Sequence, residues 1–333
     1  RRRWKSKLQV RGVIMKKVVK FGGSSLANAE QFQKVGDIIR SDESRRYVVP
    51  SAPGKRFDED IKVTDMLYGC YDAASKGEDI TEKINAIKAR YYEIIKGLGL
   101  SLSLEEEFKK IDEDFRAQAG IQYAASRGEF LNGKIMAAYL GYDFVDAASV
   151  IRFDKAGNLE AEETNKLLSK KLSKSQHAVI PGFYGACADG TVKTFSRGGS
   201  DVTGSLVAKA IHADIYENWT DVSGFLVTDP RIVHNPEPIE AITYRELREL
   251  SYMGATVLHE DAIFPVRKEG IPINIRNTNS PEDKGTDTIS SYPCSLIVRS
   301  VASITLPSGI LVFGVCCLRR ASYTSSVLIS TPS

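Results

Sequence analysis

Cysteine is scarce in this 333-residue chain and badly spaced for its structural roles. The five residues, Cys70, Cys187, Cys294, Cys316 and Cys317, include no C-x-x-C pair. That excludes a disulfide framework or an ordinary zinc site and makes a reducing cytoplasm the expected compartment. The four histidines form no metal cluster: Ile263 stands where a zincin motif beginning at His259-Glu260 needs its second histidine. No apolar run reaches the roughly 18 residues of a membrane span, so no membrane partner is expected. Acid is missing from both ends. Residues 1–17 carry eight basic side chains and residues 288–333 three arginines, without one Asp or Glu. The body between them is therefore net acidic although the formal charge is +3, and nucleic acid, which needs a basic face on the fold itself, is not an expected partner. Walker A, H-R-D and G-x-S-x-G motifs are also missing.

What is present is the composition of a globular protein, 42% hydrophobic and 26% charged. RRRWKSKLQVRGVI at the N-terminus has no apolar core for a signal peptide. Met15 is the expected natural start, with 1–14 an upstream artefact or a solvated basic tail outside the fold. Strand-like and helix-like runs then alternate. KKVVKF precedes a helical pattern with Ala29, Phe32, Gly36 and Ile39 on one face. RRYVVPSA is a buried strand, KRFDEDIK a charged mobile loop, and about 64–140 is helical with a break at KGLGLSLS. HAVIPGFYGA, ADIYENWTDV and IPINIRNT read as further strands, and TYRELRELSYMGATVL as a helix. This alternation predicts an α/β fold with a mostly parallel sheet covered by helices. Ligands then bind at the carboxyl ends of strands, beside helix N-termini.

Glycine-rich stretches stand at those junctions. In Lys20-Phe21-Gly22-Gly23-Ser24-Ser25, bare backbone amides can approach phosphates and a lysine at the strand tip can meet their oxygens; a tight turn with a surface lysine is the plainer reading. In Ser196-Arg197-Gly198-Gly199-Ser200-Asp201, Ser200 or Asp201 suits a helix N-cap and Arg197 adds a two-pronged anion donor. Thr220-Asp221-Val222-Ser223-Gly224 and Thr228-Asp229-Pro230-Arg231 suit a ribose, a base edge or Mg²⁺ with its waters, or ordinary Asx turns. Glu129 in Ser126-Arg127-Gly128-Glu129 either meets a helix dipole at a helix start or captures an ammonium group.

In that order and spacing, KFGGSS, SRGE, FSRGGSD, WTDVSGFLVTDPR and GATVLHEDAIFPVRKEGIPINIRNT resemble the aspartate kinases of the amino acid kinase superfamily. SAPGKRFDEDIKVTDML resembles the family's loop after the second strand. The resemblance covers about residues 15–287. It implies a three-layer sandwich around a mostly parallel sheet, and transfer of the γ-phosphoryl of ATP, with Mg²⁺, to the side-chain carboxylate of L-aspartate. Position by position it implies catalytic Lys20 and Asp201, the latter orienting Lys20 or the metal, and phosphate contacts from Gly22, Gly23 and Ser24. Thr220, Asp221, Leu226, Arg231 and Thr256 fall at nucleotide positions. Glu129 would take the aspartate ammonium and Arg197 its α-carboxylate, with Ser51, Thr64, Phe183, Gly199 and Ser200 lining the pocket. No protein metal site is implied.

The chain departs from the pattern in places. Thr256 stands where many members have a lysine that touches ATP phosphates, for which Arg231 is the expected compensation. Leu226 replaces a tyrosine near the adenine, and Ser24 a threonine. Residues 288–333 match no regulatory ACT pair and are read as a shifted or truncated frame, or as a divergent appendage. End-product inhibition is then expected to be absent or supplied by another chain. Since ACT pairs commonly build the dimer, a homodimer is only a possible state. The competing functions are a kinase for glutamate or N-acetylglutamate, and an impaired binding protein.

Overall fold

In the computed structural model the described residues are 15–196, 198–228, 233–234, 236–252, 258 and 260–289, with the backbone alone at 251–252, 260–261, 303–305 and 311–313. The chain divides into two compact units, Arg1–Ser290 and Ser291–Ser333.

The first unit opens with β1 (Lys17–Phe21), a 3-10 turn (Ser24–Leu26), α1 (Ala29–Arg40) and β2 (Arg45–Pro50). Four helices follow: α2 (Val63–Ser75), α3 (Thr81–Gly97), α4 (Glu105–Arg116) and α5 (Ile121–Leu140). The helical region is thus broken at 76–80 and 117–120 as well as at the expected KGLGLSLS. Next come β3 (Asp143–Phe144), α6 (Ala147–Val150), α7 (Ala161–Leu172), β4 (Ala178–Val179), β5 (Tyr184–Ala186), β6 (Val192–Thr194), α8 (Gly199–Ala210) and β7 (Ile215–Thr220). The unit closes with β8 (Ala241–Thr243), α9 (Tyr244–Tyr252), α10 (Glu260–Glu269), β9 (Ile273–Asn277) and β10 (Thr286–Ile289). In the second unit β11 (Ser303–Thr305) pairs antiparallel with β12 (Leu311–Phe313).

Eight strands form one sheet in the order β3-β4-β2-β1-β7-β9-β10-β8. Every neighbouring pair is parallel except β9 with β10. Strand periodicity sends alternate side chains to opposite faces, and both faces are buried. Val18, Tyr47, Val49 and Tyr216 pack under α7, α8 and α10. Val19, Phe21, Val48 and Trp219 pack under α1 to α5. The result is a three-layer sandwich, as expected.

Local chemistry explains the layer over β1. Asn28 caps α1 by accepting from the Gln31 N–H at 2.9 Å, a contact worth about 1 kcal/mol. Phe32, Val35 and Ile39 supply the apolar stripe. A Cβ on Gly36 would lie 2.5 Å from the Tyr139 ring, so glycine there allows α1 to approach α5. Among the described residues no helix is long and apolar enough to cross a membrane.

Candidate active site

Because β1, β2, β4, β7 and β9 run parallel, the loops after them leave the sheet at one edge. Lys20 lies in register with Val49 of β2 and Asn218 of β7, one residue before β1 ends. By alternation it shares the face of Val18, under α8. There its ammonium meets Asp201 Oδ1 at 2.6 Å. The same oxygen accepts from Asn218 Nδ2 at 2.9 Å, and Lys20 Nζ also lies 3.4 Å from Asn218 Oδ1. All three residues are buried. A buried lysine so held keeps one orientation, which a surface lysine on a tight turn would not. Strand β7 serves both faces with adjacent polar residues: Asn218 turns to Lys20, while Glu217 turns the other way to Arg45 at 2.8 Å and Lys17 at 2.9 Å. Burial raises the Glu217 carboxyl, but these two cations outweigh it and hold it below its ordinary value.

After β1 a 3-10 turn carries the chain from the glycines to α1, which starts at Ala29 as the helical pattern predicts. The Gly22 N–H, one of three amides expected to meet phosphates, is committed instead to Trp219 O at 3.0 Å, which leaves Gly23 and Ser24 as the candidates. Gly22 contributes by its bareness. A Cβ there would sit 3.8 Å from Lys20 Nζ, on the approach to the ammonium, and meet nothing closer than 3.7 Å. Gly23 and Gly54 are glycine for another reason. A Cβ on Gly54 would lie 2.6 Å from the Gly23 carbonyl carbon, and one on Gly23 2.9 Å from Ala52 O. The two loops therefore touch backbone to backbone, closed by Gly54 N–H to Gly23 O at 2.8 Å.

The segment after β2 joins α5 to the loop after β4. Ala52 packs on α5, where a Cβ on Gly128 would fall 2.8 Å from its methyl and 3.8 Å from Thr64 Oγ1. Ser51 O accepts from Asn132 Nδ2 at 2.6 Å, and Pro50 O from the Gly182 N–H at 3.1 Å. The charged stretch after Gly54 is tied down rather than loose. Buried Arg90 on α3 reaches Asp60 at 2.8 Å and Gly54 O at 3.0 Å, and Arg56 braces the same carboxylate at 2.9 Å. Hydrogen bonding from Arg56, opposed by burial, holds Asp60 well below the usual carboxylate range.

Glu129 sits well inside α5, not at a helix start, so a dipole contact does not account for it. It is buried, and its Oε2 has no hydrogen-bond partner. Burial pushes its carboxyl up to about 8, against the opposing pull of the Ala52 backbone and the Arg127 guanidinium. Arg127 itself is held over the rings of Tyr123 and Phe130 at 4.5 and 4.4 Å. A buried carboxylate lacking a partner is costly unless a cation meets it.

Gly182, Phe183, Gly199 and Ser200 meet where the loop after β4 crosses the start of α8. A Cβ on Gly182 would lie 2.5 Å from Ser200 Oγ, and one on Gly199 2.6 Å from the Phe183 ring. The N-cap of α8 is Gly198 in the left-handed region, φ 55°, in place of the expected Ser200 or Asp201. Both of these lie in the first helical turn, which is how Asp201 points at Lys20.

On the opposite side Thr220 ends β7, and its hydroxyl donates to Asp221 at 3.1 Å. Ser223 donates to Asp283 at 2.6 Å and accepts from Asn277 at 3.1 Å. Leu226 is half-buried and bridges to Pro238. Ser25 and Thr278, both buried, join the loop after β1 to the end of β9 through a 2.7 Å hydroxyl contact. Arg197, Arg231 and Thr256 lie outside the described residues, as do Asp229 and Pro230 of the TDPR stretch.

Asn218, Asn132 and Thr278 are absent from the sequence-based set. The first two carry a readable signal, a polar side chain within an otherwise buried strand or helix face. Thr278 carries none, because its partner is 253 residues away.

The sequence pattern of the amino acid kinase family matches residues 15–277. The chain is 40% identical over 290 residues to aspartokinase 3 of Bacillus subtilis, covering 82% of this chain and 63% of that protein. Its fold superposes on aspartate kinase from Clostridium acetobutylicum with a TM-score of 0.81 at 50% identity, covering 86% of this chain and 65% of the other. Escherichia coli aspartokinase III, solved with aspartate and ADP, superposes with a TM-score of 0.73 at 27% identity, covering 86% and 67% respectively. The chain thus spans about two thirds of the length of these relatives.

Proposed function

Since the chain belongs to the amino acid kinase family, we propose that it transfers the γ-phosphoryl of ATP to the side-chain carboxylate of L-aspartate, giving 4-phospho-L-aspartate and ADP. The observation that carries this reading is Glu129, a buried carboxyl group with an unpartnered oxygen, at the same strand-end edge of the sheet as a fixed lysine. Such a group calls for a cation, and the ammonium of a free α-amino acid supplies one. An N-acetylated acid does not. The relatives named above, all aspartate kinases, support aspartate over glutamate.

The substrate carboxylate is ionised at neutral pH and needs no general base. What opposes reaction is repulsion between it and the triphosphate, so catalysis is positioning plus positive potential. Lys20 supplies that potential at the transferring phosphoryl group. Asp201 and Asn218 hold it ready, so that little reorganisation is needed as charge develops. Gly23 and Ser24 donate backbone amides to the phosphates. Thr64, Ser51, Phe183, Gly199 and Ser200 shape the amino-acid pocket, with Arg197 on the α-carboxylate. Thr220, Asp221, Leu226, Arg231 and Thr256 belong to the nucleotide side.

Mg²⁺ would be held chiefly by the nucleotide phosphates and would offset their charge. Among the described residues no group of three or more His, Cys, Asp or Glu is placed to hold a metal, and Mg²⁺ commonly takes only one or two carboxylates plus substrate phosphates. The free thiols of Cys70 and Cys187 agree with action in the cytoplasm. Hydroxamate formation with ATP and each of aspartate, glutamate and N-acetylglutamate tests the proposal. Turnover with aspartate is expected; turnover with glutamate alone, or with none of the three, refutes it.

A further inference from the structure

We propose that the Thr203 hydroxyl is a positioning group for the amino-acid pocket: it clamps Phe183 in a left-handed backbone conformation against the first turn of α8, and so sets where Phe183 and Ser200 face the substrate. The inference rests on the reading of the pocket given above.

Three described non-glycine residues have positive φ: Gln118, Phe183 and His212. Gln118 and His212 stand just past the ends of α4 and α8, where a left-handed residue is the common way to finish a helix. Phe183, at φ 79°, ends no helix. It lies between β4 and β5, and a bulky side chain in that region is a true outlier. Such strain persists only where the surroundings over-determine it, and it gathers at functional sites.

The surroundings here are specific. The Phe183 N–H donates to Thr203 Oγ1 at 3.1 Å, and that hydroxyl donates in turn to Gly199 O at 3.0 Å. On the other side the Phe195 N–H donates to Phe183 O at 2.9 Å. The ring rests on Gly199, and Gly182 crosses over Ser200. A helical threonine commonly back-bonds to the carbonyl four residues earlier. What is added is the second role of the same oxygen, as acceptor for a strained amide from a separate loop. Thr203 is fully buried, so no water replaces it. One hydroxyl thus couples the loop after β4 to the helix turn that carries Gly199, Ser200 and Asp201.

The test compares Thr203→Val, which keeps the shape and deletes the hydroxyl, with Thr203→Ser, which keeps the hydroxyl. In Thr203→Val the KM for aspartate should rise about tenfold or more, as expected when a pocket wall shifts by a fraction of an ångström, while the KM for ATP stays within about threefold of wild type. Hydrogen exchange at the Phe183 amide should accelerate, and Thr203→Ser should restore both readouts. An unchanged KM for aspartate, or an equal rise for both substrates, overturns the proposal. If the valine variant does not fold, Thr203→Ala carries the same comparison. If wild-type protein fails to phosphorylate aspartate, the functional reading falls, yet amide exchange still decides the clamp: protection at Phe183 unchanged by loss of the hydroxyl rules it out.

Discussion

The strand-end residues fall into two groups, an acid side and a nucleotide side on the reading proposed above, and the two are built on different terms. On the acid side Glu129, Ser200 and Asp201 are each less than a tenth exposed. Their neighbours interlock so closely that Gly128, Gly182 and Gly199 have no room for a methyl group. On the nucleotide side Asp221 and Asp283 are exposed and Thr220 and Ser223 half-buried, bonded chiefly to one another. The contrast follows from what each side would bind. A small amino acid presents opposite charges on few atoms, and discrimination among such ligands needs fixed, desolvated partners that cost energy when left unpaired. A nucleotide brings a large surface and long-range charge, so an open polar rim can steer and hold it.

The contrast breaks most severely at Lys20, which belongs to both sides. Lys20→Met should lower kcat by about 100-fold or more with both substrates still bound, as measured by isothermal titration, and with a cooperative thermal melt retained. A variant with near wild-type turnover removes Lys20 from the chemistry.

Glu129→Gln should separate the sides. Loss of a charge-assisted bond of about 1.5–3 kcal/mol should raise the KM for aspartate by about 10- to 100-fold and leave the KM for ATP within about twofold. It also reverses a pH effect. The Glu129 carboxyl is raised from 4.5 to about 8 by burial, so the native state holds a proton that the unfolded chain has released. Stability from this group is present below the unfolded value and is lost as pH rises through about 8. Thermal melts should therefore show Glu129→Gln gaining on wild type between about pH 4.5 and 8, with the two alike in acid. Aspartate should oppose the wild-type loss, because its ammonium favours the ionised form. Parallel melting curves across that window would contradict the burial argument.

Gly54→Ala acts where the sides touch. Its methyl would fall 2.6 Å from Gly23 and 2.8 Å from the Ser24 nitrogen, both backbone, so the phosphate-side loop must shift. We expect the KM for ATP to rise about tenfold, as a displacement near 1 Å in a positioned site commonly costs that or more, and the KM for aspartate to move less. The smallest effect should come from the 2.7 Å Ser25–Thr278 contact. A double-mutant cycle of Ser25→Ala and Thr278→Val should give a coupling of about 1 kcal/mol, read on nucleotide affinity. Zero coupling would mean the contact does not brace the loop.

Much of this was legible before any coordinates. The alternation of apolar runs foretold the covered parallel sheet, and the lysine and glycine motifs stand at strand ends and a helix start, as their pattern predicts. The misreadings are local. Ser200 has the chemistry of a cap, yet the chain turns through Gly198, two residues before Ser200, because left-handed geometry is open to glycine. Glu129 resembled a helix-start acid, since the first two turns of α5 carry no capping signal. The charged stretch after Gly54 looked loose because its anchor, Arg90, lies 30 residues on from Asp60 across two helix starts.

Local pattern alone settles that helices cover both faces of the sheet and which residue types stand at its strand ends. Periodicity near 2 or 3.6 states which face is buried, and glycine states where backbone must come close. Long-range packing was needed to bring Lys20 to Asp201, to leave Glu129 an unpartnered oxygen and to bend Phe183 into a conformation its side chain disfavours. Those facts depend on pairs separated by up to some 180 residues, such as Lys20 and Asp201. Local patterns carry no record of such pairings, which strand order and helix placement settle.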